Sequence, residues 1–326
     1  MLMRGCLFSR DSLLILTLSR MLDWVIFCGR VCKVCLAWAT QLNTIDKEMN
    51  RMRQRLLTIL SILLVLVPVV QATEQVRVAG STTVLPIVAE AAKHFRQLHP
   101  GLSLTVSGGG SGVGVASIDQ GLVEIGMASR DLTTAEKQRL QGKVWQVAIA
   151  RDAVAVAVSK AVYEAGVTQL SLAQIAAIYR GEIKNWQQLG GPDRRILVID
   201  KEASRGTRHV FARVVLGSGR ARAPGASIIT GSNNEEQAAI ANSDKAIGML
   251  SHAWLNDAVR AVAVGEANKA VLPTFENVAN GRYPIQRQLK LLVSETNSEI
   301  GNAFIDFMLS SKGQQLVQQV GYLPVH

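Results

Sequence analysis

From Gln75 onward, short β-branched runs bounded by Gly, Ser and Asp alternate with stretches of helical periodicity. The first strands are predicted at 76–79, 102–106 and 124–127, with helices at 85–98 and near 115–121 between them. Consecutive strands separated by helices pair in parallel, because a parallel neighbour needs a crossover connection. The sequence therefore predicts an α/β protein with a mainly parallel sheet.

The later part of the chain continues this alternation of strands and helices, and one of its predicted strands is unusually long. Residues 144–158 are almost wholly apolar except around Arg151 and Asp152, as expected of a long buried strand that passes between two lobes. Further strands are predicted at 196–199, 246–249 and 289–293, and further helices at 171–179, 207–216, 235–242 and 300–309.

Residues 49–72 have the layout of a secretory signal peptide. Three arginines precede an apolar run at 56–67, and Val70-Gln71-Ala72 offers a cleavage point after Ala72. The run is short for a bilayer span and ends at Pro68, which disfavours the alternative of a permanent membrane anchor. We therefore expect an exported protein located in the periplasm.

Residues 1–48 precede this signal, and we expect them to be an upstream extension from a start codon assigned too early. They hold all four cysteines, of which Cys32 and Cys35 resemble half of a zinc or redox site without a second pair. The remaining 254 residues, 73–326, contain no cysteine and carry 26 Lys and Arg against 21 Asp and Glu. This weak basicity forms no stripe interleaved with aromatic residues, so nucleic acid is not an expected partner.

Four loops rich in hydrogen-bond donors follow predicted strands. They are 80–83, 107–112, 128–131 and 204–207, and three of them lead into a predicted helix. Free backbone N–H groups, hydroxyls and the positive end of a helix dipole favour an anion, and open α/β sheets bind ligands at these strand ends. Each loop alone could be a helix cap, a flexible linker or a surface ion pair. Their coincidence at equivalent strand ends predicts an anion site.

An enzymatic function is disfavoured by the same residues. The five histidines are scattered, no serine lies in a Gly-x-Ser-x-Gly turn, and no Walker phosphate loop is present. We therefore predict no catalytic residue, no metal ligand and no cofactor. A secreted phosphatase remains a minor alternative.

Several strings occur in a characteristic order: VAGSTTVLPIVAEAAKHF, SGGGSGVGVASIDQGLVEIGMASRDL, IYRGEIKNWQQLGG and DKEASRGTRHVF. This order resembles the phosphate-binding proteins of bacterial phosphate ABC transporters. The resemblance implies a two-lobed periplasmic binding fold, with lobe 1 at 73–155 and 284–326 and lobe 2 at 156–283. Each lobe would hold a mixed, mainly parallel sheet flanked by helices, and the chain would cross between the lobes twice.

The resemblance also implies a function and a set of ligands. The protein would bind inorganic phosphate as a monomer, close around it by a hinge, and deliver it to a membrane permease; a binding-fold sensor or surface protein for phosphate or another tetrahedral oxyanion is the alternative. The matching positions are Ser81, Thr82, Thr83, Ser111, Gly112, Ser129, Arg130, Ser204, Arg205, Gly206 and Thr207.

Two positions depart from the pattern of this family. In its longer-chain branch a carboxylate accepts the phosphate proton at the position that Arg130 holds here, as in the shorter-chain branch, and Asp131 is the nearest candidate acceptor in sequence. Lys201 stands where an arginine is common, while Arg205 lies inside the second-lobe loop.

Overall fold

The computed structural model of the protein describes residues 33–65 and 74–326, which belong to two separate compact units. The first unit contains helix α1 (Lys33–Val65). Among the described residues, no helix has the length and apolarity needed to cross a membrane. The predicted signal peptide, 49–72, is described only in part, and its predicted cleavage point lies outside the described residues. So do residues 1–32, with three of the four cysteines.

The second unit alternates strands and helices as the sequence predicts. Its strands are β1 (Gln75–Gly80), β2 (Ser103–Ser107), β3 (Ile125–Ala128), β4 (Val144–Ser159), β5 (Gln169–Leu170), β6 (Leu197–Lys201), β7 (Ile228–Thr230), β8 (Ala246–Ser251), β9 (Val259–Ala261), β10 (Ala263–Val264) and β11 (Gln286–Ser294). Its helices are α2 (Leu85–Leu98), α3 (Ser111–Asp119), α4 (Thr134–Leu140), α5 (Lys160–Glu164), α6 (Leu172–Arg180), α7 (Gly206–Val215), α8 (Asn233–Ala241), α9 (Phe275–Ala279), α10 (Glu299–Leu309) and α11 (Ser311–Gln319).

The first three strands form a parallel ladder with β1 in the middle. Val78 of β1 lies opposite Val106 of β2 on one side and Ile125 of β3 on the other. Strand β11 then pairs antiparallel with β3, so that Leu291 lies opposite Met127. The βαβαβ start is confirmed, and the last long strand of the chain extends the same sheet.

Strand β4 is the structural link between the two halves of this unit. Its residues 144–153 pair with β11, and its residues 154–158 pair with β8. The strand order is β2-β1-β3-β11-β4-β8-β6-β7, with β9 also paired to β4. The prediction of a mixed α/β architecture with a long strand at 144–158 is therefore confirmed. In the described residues the large sheet has as many antiparallel as parallel strand pairs, and β4 is buried only from Ile149 onward, whereas Trp145 and Gln146 are exposed.

The two largest hydrophobic cores of the described residues lie along the first and second halves of β4. The first is built largely from β1, α2, β3, β11 and α10, and includes Val76, Ile87, Phe95, Leu291 and Phe304. The second is built largely from the second half of β4, α6, α7 and β8, and includes Val154, Ile175, Trp186, Phe211 and Ile247. We call the parts around them the first and second lobes. Fully burying one such side chain stabilises the fold by roughly 1.5–3 kcal/mol.

Helix α2 shows how the sequence pattern produces this packing. Its predicted apolar face, Val88, Ala91, Ala92 and Phe95, is buried. Phe95 meets Phe304 of α10 edge to face, with ring centroids 5.2 Å apart. Helix α3, in contrast, begins at Ser111 and not near residue 115, because Gly110 turns the chain with a φ of 94° directly before it.

Glycines allow α3 to lie unusually close to the sheet. A Cβ atom on Gly114 would be 2.4 Å from the Met127 carbonyl oxygen of β3 and 3.1 Å from the Ala79 carbonyl oxygen of β1. Gly80 has a φ of 140°, and a Cβ there would be 2.3 Å from the same Met127 oxygen. The absence of a Cβ atom at these two positions allows the first turn of α3 to lie next to the ends of β1 and β3.

We predict that Gly114→Ala destabilises the protein by about 1–3 kcal/mol, because the added methyl forces α3 away from β1 and β3. The free energy of unfolding from urea titration measures this effect. Gly101→Ala is the matched control, since no heavy atom lies within 4 Å of its added Cβ; it should change stability by less than about 0.5 kcal/mol. Equal stability of the two variants would contradict the close packing of α3.

Candidate functional site

The ends of β1, β3 and β6 meet at a small cavity between the two lobes. It is lined by Ser81, Thr82, Thr83, Gly110, Ser129, Lys201, Arg205, Gly206, Thr207, Ser232 and Asn233. Seven of the eleven residues predicted from the sequence are in this lining. Gly110, Lys201, Ser232 and Asn233 were not in the predicted set.

Three further predicted residues lie immediately behind the lining. The Ser111 hydroxyl accepts a hydrogen bond from the Ser129 backbone N–H at 3.0 Å and lies 3.2 Å from the Ser129 hydroxyl. The Gly112 N–H donates to the Ser204 carbonyl oxygen at 3.0 Å, which joins the first lobe to the second. The structure therefore brings these loops together, while their contact with an anion stays a prediction.

Gly206 permits this close approach of the lobes. A Cβ atom there would lie 2.3 Å from the Ser111 Oγ and 2.4 Å from the Ser129 Oγ. Because of this contact, the first turn of α7 reaches the hydroxyls of the opposite lobe. The Thr207 Oγ1 lies 3.4 Å from the Thr83 Oγ1 across the cavity.

Several helices direct their N-termini at the cavity, and three of them lack a side-chain cap. No side chain caps α2, α3 or α7. The same is true of α5, away from the cavity, whereas α4, α6, α8, α9, α10 and α11 each have a Ser or Thr cap. The N–H groups of Thr82, Gly206 and Thr207 have no hydrogen-bond partner within the described part of the chain. Unsatisfied N–H groups and the helix dipole make such termini favourable places for negative charge.

Arg287 of β11 donates hydrogen bonds to the hydroxyl groups at the cavity. It was not among the site residues predicted from the sequence. Its Nη1 donates to the Thr207 Oγ1 at 2.9 Å and to the Ser129 Oγ at 3.4 Å, and its Nη2 donates to the Thr83 Oγ1 at 3.4 Å. A guanidinium can only donate, so each of these hydroxyls accepts from it and keeps its own proton for another partner. Arg287 thus orients the cavity hydroxyls as donors and adds positive charge next to them.

A buried carboxylate fixes Arg287 in this position. The Asp152 Oδ2 accepts from Arg287 Nε at 2.9 Å and from Nη2 at 2.6 Å. The Asp152 Oδ1 accepts from the Ser251 hydroxyl at 2.8 Å, and the His252 Nδ1 lies 2.8 Å from it. Burial raises the pKa of the Asp152 carboxyl, but Arg287 and His252 outweigh burial and hold the pKa below its ordinary value.

The sequence contained one signal for this pair. Asp152 is a charged residue inside the long apolar strand, where an unpaired carboxylate would be very costly. Its partner could not be identified from the sequence, because Arg287 is 135 residues away.

The structure does not place the Arg130 side chain in the cavity lining, so its predicted contact with an anion stays a prediction. Its guanidinium forms a two-point ion pair with Glu136 of α4, with N–O distances of 2.7 and 2.8 Å. Asp131, the candidate proton acceptor, is also placed elsewhere: it pairs with Lys290 at 2.5 Å and lies 3.8 Å from Arg213 of the second lobe. Neighbouring carboxylates and cations therefore neutralise these two charges outside the cavity.

The second lobe contributes two cations to the lining. Arg205 pairs with Glu202 at 2.6 Å, and its side chain lies against Gly110 of the first lobe. Lys201 is buried, pairs with Glu236 and donates to the Ser232 carbonyl oxygen at 3.0 Å. Burial lowers the pKa of Lys201, against the opposing effect of Glu236. Among the described residues, no group of three or more His, Cys, Asp or Glu could hold a metal ion.

Comparison with known proteins identifies the family. Residues 68–312 match the model of the PBP superfamily domain. The phosphate-binding protein PstS of Bacillus subtilis is 32% identical over 260 residues, which cover 78% of this chain and 82% of that protein. The chain belongs to the PBP superfamily, among the PstS-like phosphate-binding proteins.

Solved structures agree with this assignment. A crystal structure described as a phosphate ABC transporter substrate-binding protein of Clostridium perfringens contains bound phosphate; it is 34% identical, has a TM-score of 0.72, and the match covers 78% of this chain and all of that one. An ABC-type phosphate transport receptor of Vibrio cholerae is 30% identical with a TM-score of 0.63, over 76% of this chain and 99% of the other. The predicted resemblance and the two-lobed PBP fold are confirmed.

We predict that Asp152→Ala destabilises the protein by about 3–5 kcal/mol, because it leaves Arg287 buried without its counter-charge. Urea titration measures the free energy of unfolding. The double variant Asp152→Ala with Arg287→Met should be destabilised by less than the sum of the two single variants, since these side chains are in direct contact. Strict additivity would show that the two residues do not act as a pair.

We predict a pH-dependent contribution from Glu136. Burial raises the pKa of this carboxyl, but hydrogen bonds from Arg130 and Thr133 outweigh burial and lower the pKa to about 2. Because the folded pKa lies below the ordinary value of 4.5, the stabilisation is complete above about pH 4.5 and is lost as the pH falls towards 2.

The difference in free energy of unfolding between the wild type and Glu136→Gln measures this contribution. It should be largest near neutral pH and shrink between about pH 4.5 and pH 3. Glu182→Gln, at an exposed carboxylate, is the control and should show no such trend. A difference that does not change with pH would contradict the role of the Arg130–Glu136 pair.

Proposed function

We propose that this protein binds inorganic phosphate in the periplasm and delivers it to the permease of an ABC transporter. The observation that carries the proposal is the concentration of donors at one cavity. Three uncapped helix N-termini and hydroxyls held by Arg287 surround it, and Lys201 and Arg205 add positive charge. The phosphate-binding relatives support phosphate as the anion.

Binding by closure of the two lobes is part of this proposal. We propose lobe boundaries at 73–155 with 284–326 and at 156–283, so that the chain crosses along β4 and again just before β11. The Gly112–Ser204 hydrogen bond and the contact of Gly206 with the opposite hydroxyls are the contacts that opening would break. Closure would exclude water and strengthen each charge-assisted hydrogen bond to the anion.

We also propose that the protein acts without chemical turnover and as a monomer. The Ser111 and Ser129 hydroxyls contact one another and the donors around them, and neither has a histidine base as a hydrogen-bond partner in the described part of the chain. Export through the predicted signal peptide would place the protein beside a membrane permease. A phosphate sensor on the same fold is the second candidate, since ligand-driven closure could also report phosphate to a partner.

Isothermal titration calorimetry of the purified protein with phosphate tests the proposal. We predict tight binding by the wild type, and a loss of about tenfold or more in affinity for Thr207→Val, which removes one donor to a charged ligand. Thr168→Val, at an exposed threonine outside the cavity, is the matched control and should bind as the wild type does.

Two results would contradict the proposal. One is the absence of binding heat with phosphate in the wild type. The other is release of phosphate from a phosphomonoester such as p-nitrophenyl phosphate at a rate that depends on Ser111, which would favour the phosphatase alternative.

A further inference from the structure

Asn233 has an unusual set of contacts for a residue of the cavity lining. It is the first residue of α8 and is only 2% exposed. Its side-chain Nδ2 donates to the Thr83 Oγ1 of the opposite lobe at 3.1 Å. Its Oδ1 is buried and accepts no hydrogen bond. A buried acceptor without a donor is costly, so this oxygen is available to a ligand that brings a proton.

The polar groups around Asn233 are arranged as donors. Thr83, Ser129 and Thr207 accept from the Arg287 guanidinium, which leaves their own protons for another acceptor. Lys201 and Arg205 are cations, and the free N–H groups of α7 are donors as well. Of the residues that line the cavity in the described part of the chain, Asn233 alone has a buried side-chain acceptor, its Oδ1, that receives no hydrogen bond.

The carboxylates near the cavity are already occupied. Asp152 accepts from Arg287 and Ser251. Glu236 pairs with Lys201 and also accepts from the Met249 N–H and the Thr230 hydroxyl. Glu202 pairs with Arg205. None of these groups is left as an unpaired acceptor, and Asp131 lies outside the cavity with Lys290.

We propose that the Asn233 Oδ1 accepts the proton of a protonated tetrahedral oxyanion and so determines the specificity of the site. This inference rests on the proposed phosphate binding and deepens it. Phosphate and arsenate carry at least one proton near neutral pH and can donate it to the amide oxygen. Sulfate carries none, so its oxygen would face the Oδ1 lone pairs and leave that acceptor unsatisfied.

The test is calorimetric titration of the purified protein with phosphate and with sulfate at pH 7.5 and fixed salt. Asn233→Ala removes the acceptor, and we expect a loss of roughly tenfold in phosphate affinity with sulfate affinity unchanged or improved. Asn233→Asp restores an acceptor, and we expect it to keep phosphate binding while weakening sulfate further. Asn234→Ala, at the exposed neighbouring amide, is the matched control and should retain the wild-type ratio.

Thermal unfolding with and without saturating phosphate shows that each variant is folded and competent to bind. A side-chain amide turned end for end would present Nδ2 to the anion. In that case Asn233→Ala would weaken phosphate and sulfate equally, and Asn233→Asp would abolish binding of both, which would overturn the proposal. An unchanged phosphate-to-sulfate ratio in Asn233→Ala would also overturn it. Lack of phosphate binding by the wild type is a different result and would refute the proposed function itself.

Discussion

The buried pair of Asp152 and Arg287 is the interaction on which the site depends. Removing both charges from water is costly, and a close ion pair offsets that cost only if further hydrogen bonds satisfy the remaining polar atoms. Here the Asp152 carboxylate meets Ser251 and His252 on its second oxygen, and Arg287 meets hydroxyls from both lobes. One salt bridge thus links β4 and β11 to Thr83 and Thr207, and it determines the direction in which these hydroxyls can donate.

The helices at the cavity show a balance between stability and ligand binding. A side-chain cap contributes about 1 kcal/mol to a helix, yet α2, α3 and α7 begin without one. Most other helices of the same unit have Ser or Thr caps, such as Ser171 on α6 and Ser310 on α11, although α5 also lacks one. The N–H groups of Thr82, Gly206 and Thr207, which have no partner within the described residues, lie where the two lobes meet, and an anion can satisfy them.

The sequence was most informative where the signal is local. Short alternating strands and helices predicted the β1–α2–β2 start, and the donor-rich loops predicted most of the cavity lining, because each loop follows its own strand. The direction of a side chain depends on contacts that the sequence pattern does not show. Arg130 pairs with Glu136, six residues further along the chain. Asn233 reaches the cavity from the first turn of α8, two residues before the predicted start of that helix. Arg287 was missed for a related reason, since only tertiary pairing brings β11 beside β4.

The position of β11 has a consequence for how the chain acquires its function. This strand comes near the end of the sequence but lies between β3 and β4 in the sheet. Until it is made, both neighbours have an unpaired edge, and Thr83 lacks the guanidinium that lies 204 residues further along. Because proteins are synthesised from the N-terminus, a growing chain cannot complete the cavity early. Completion of the cavity therefore coincides with closure of the sheet, and an incomplete chain would lack the proposed site and any stabilisation by its ligand.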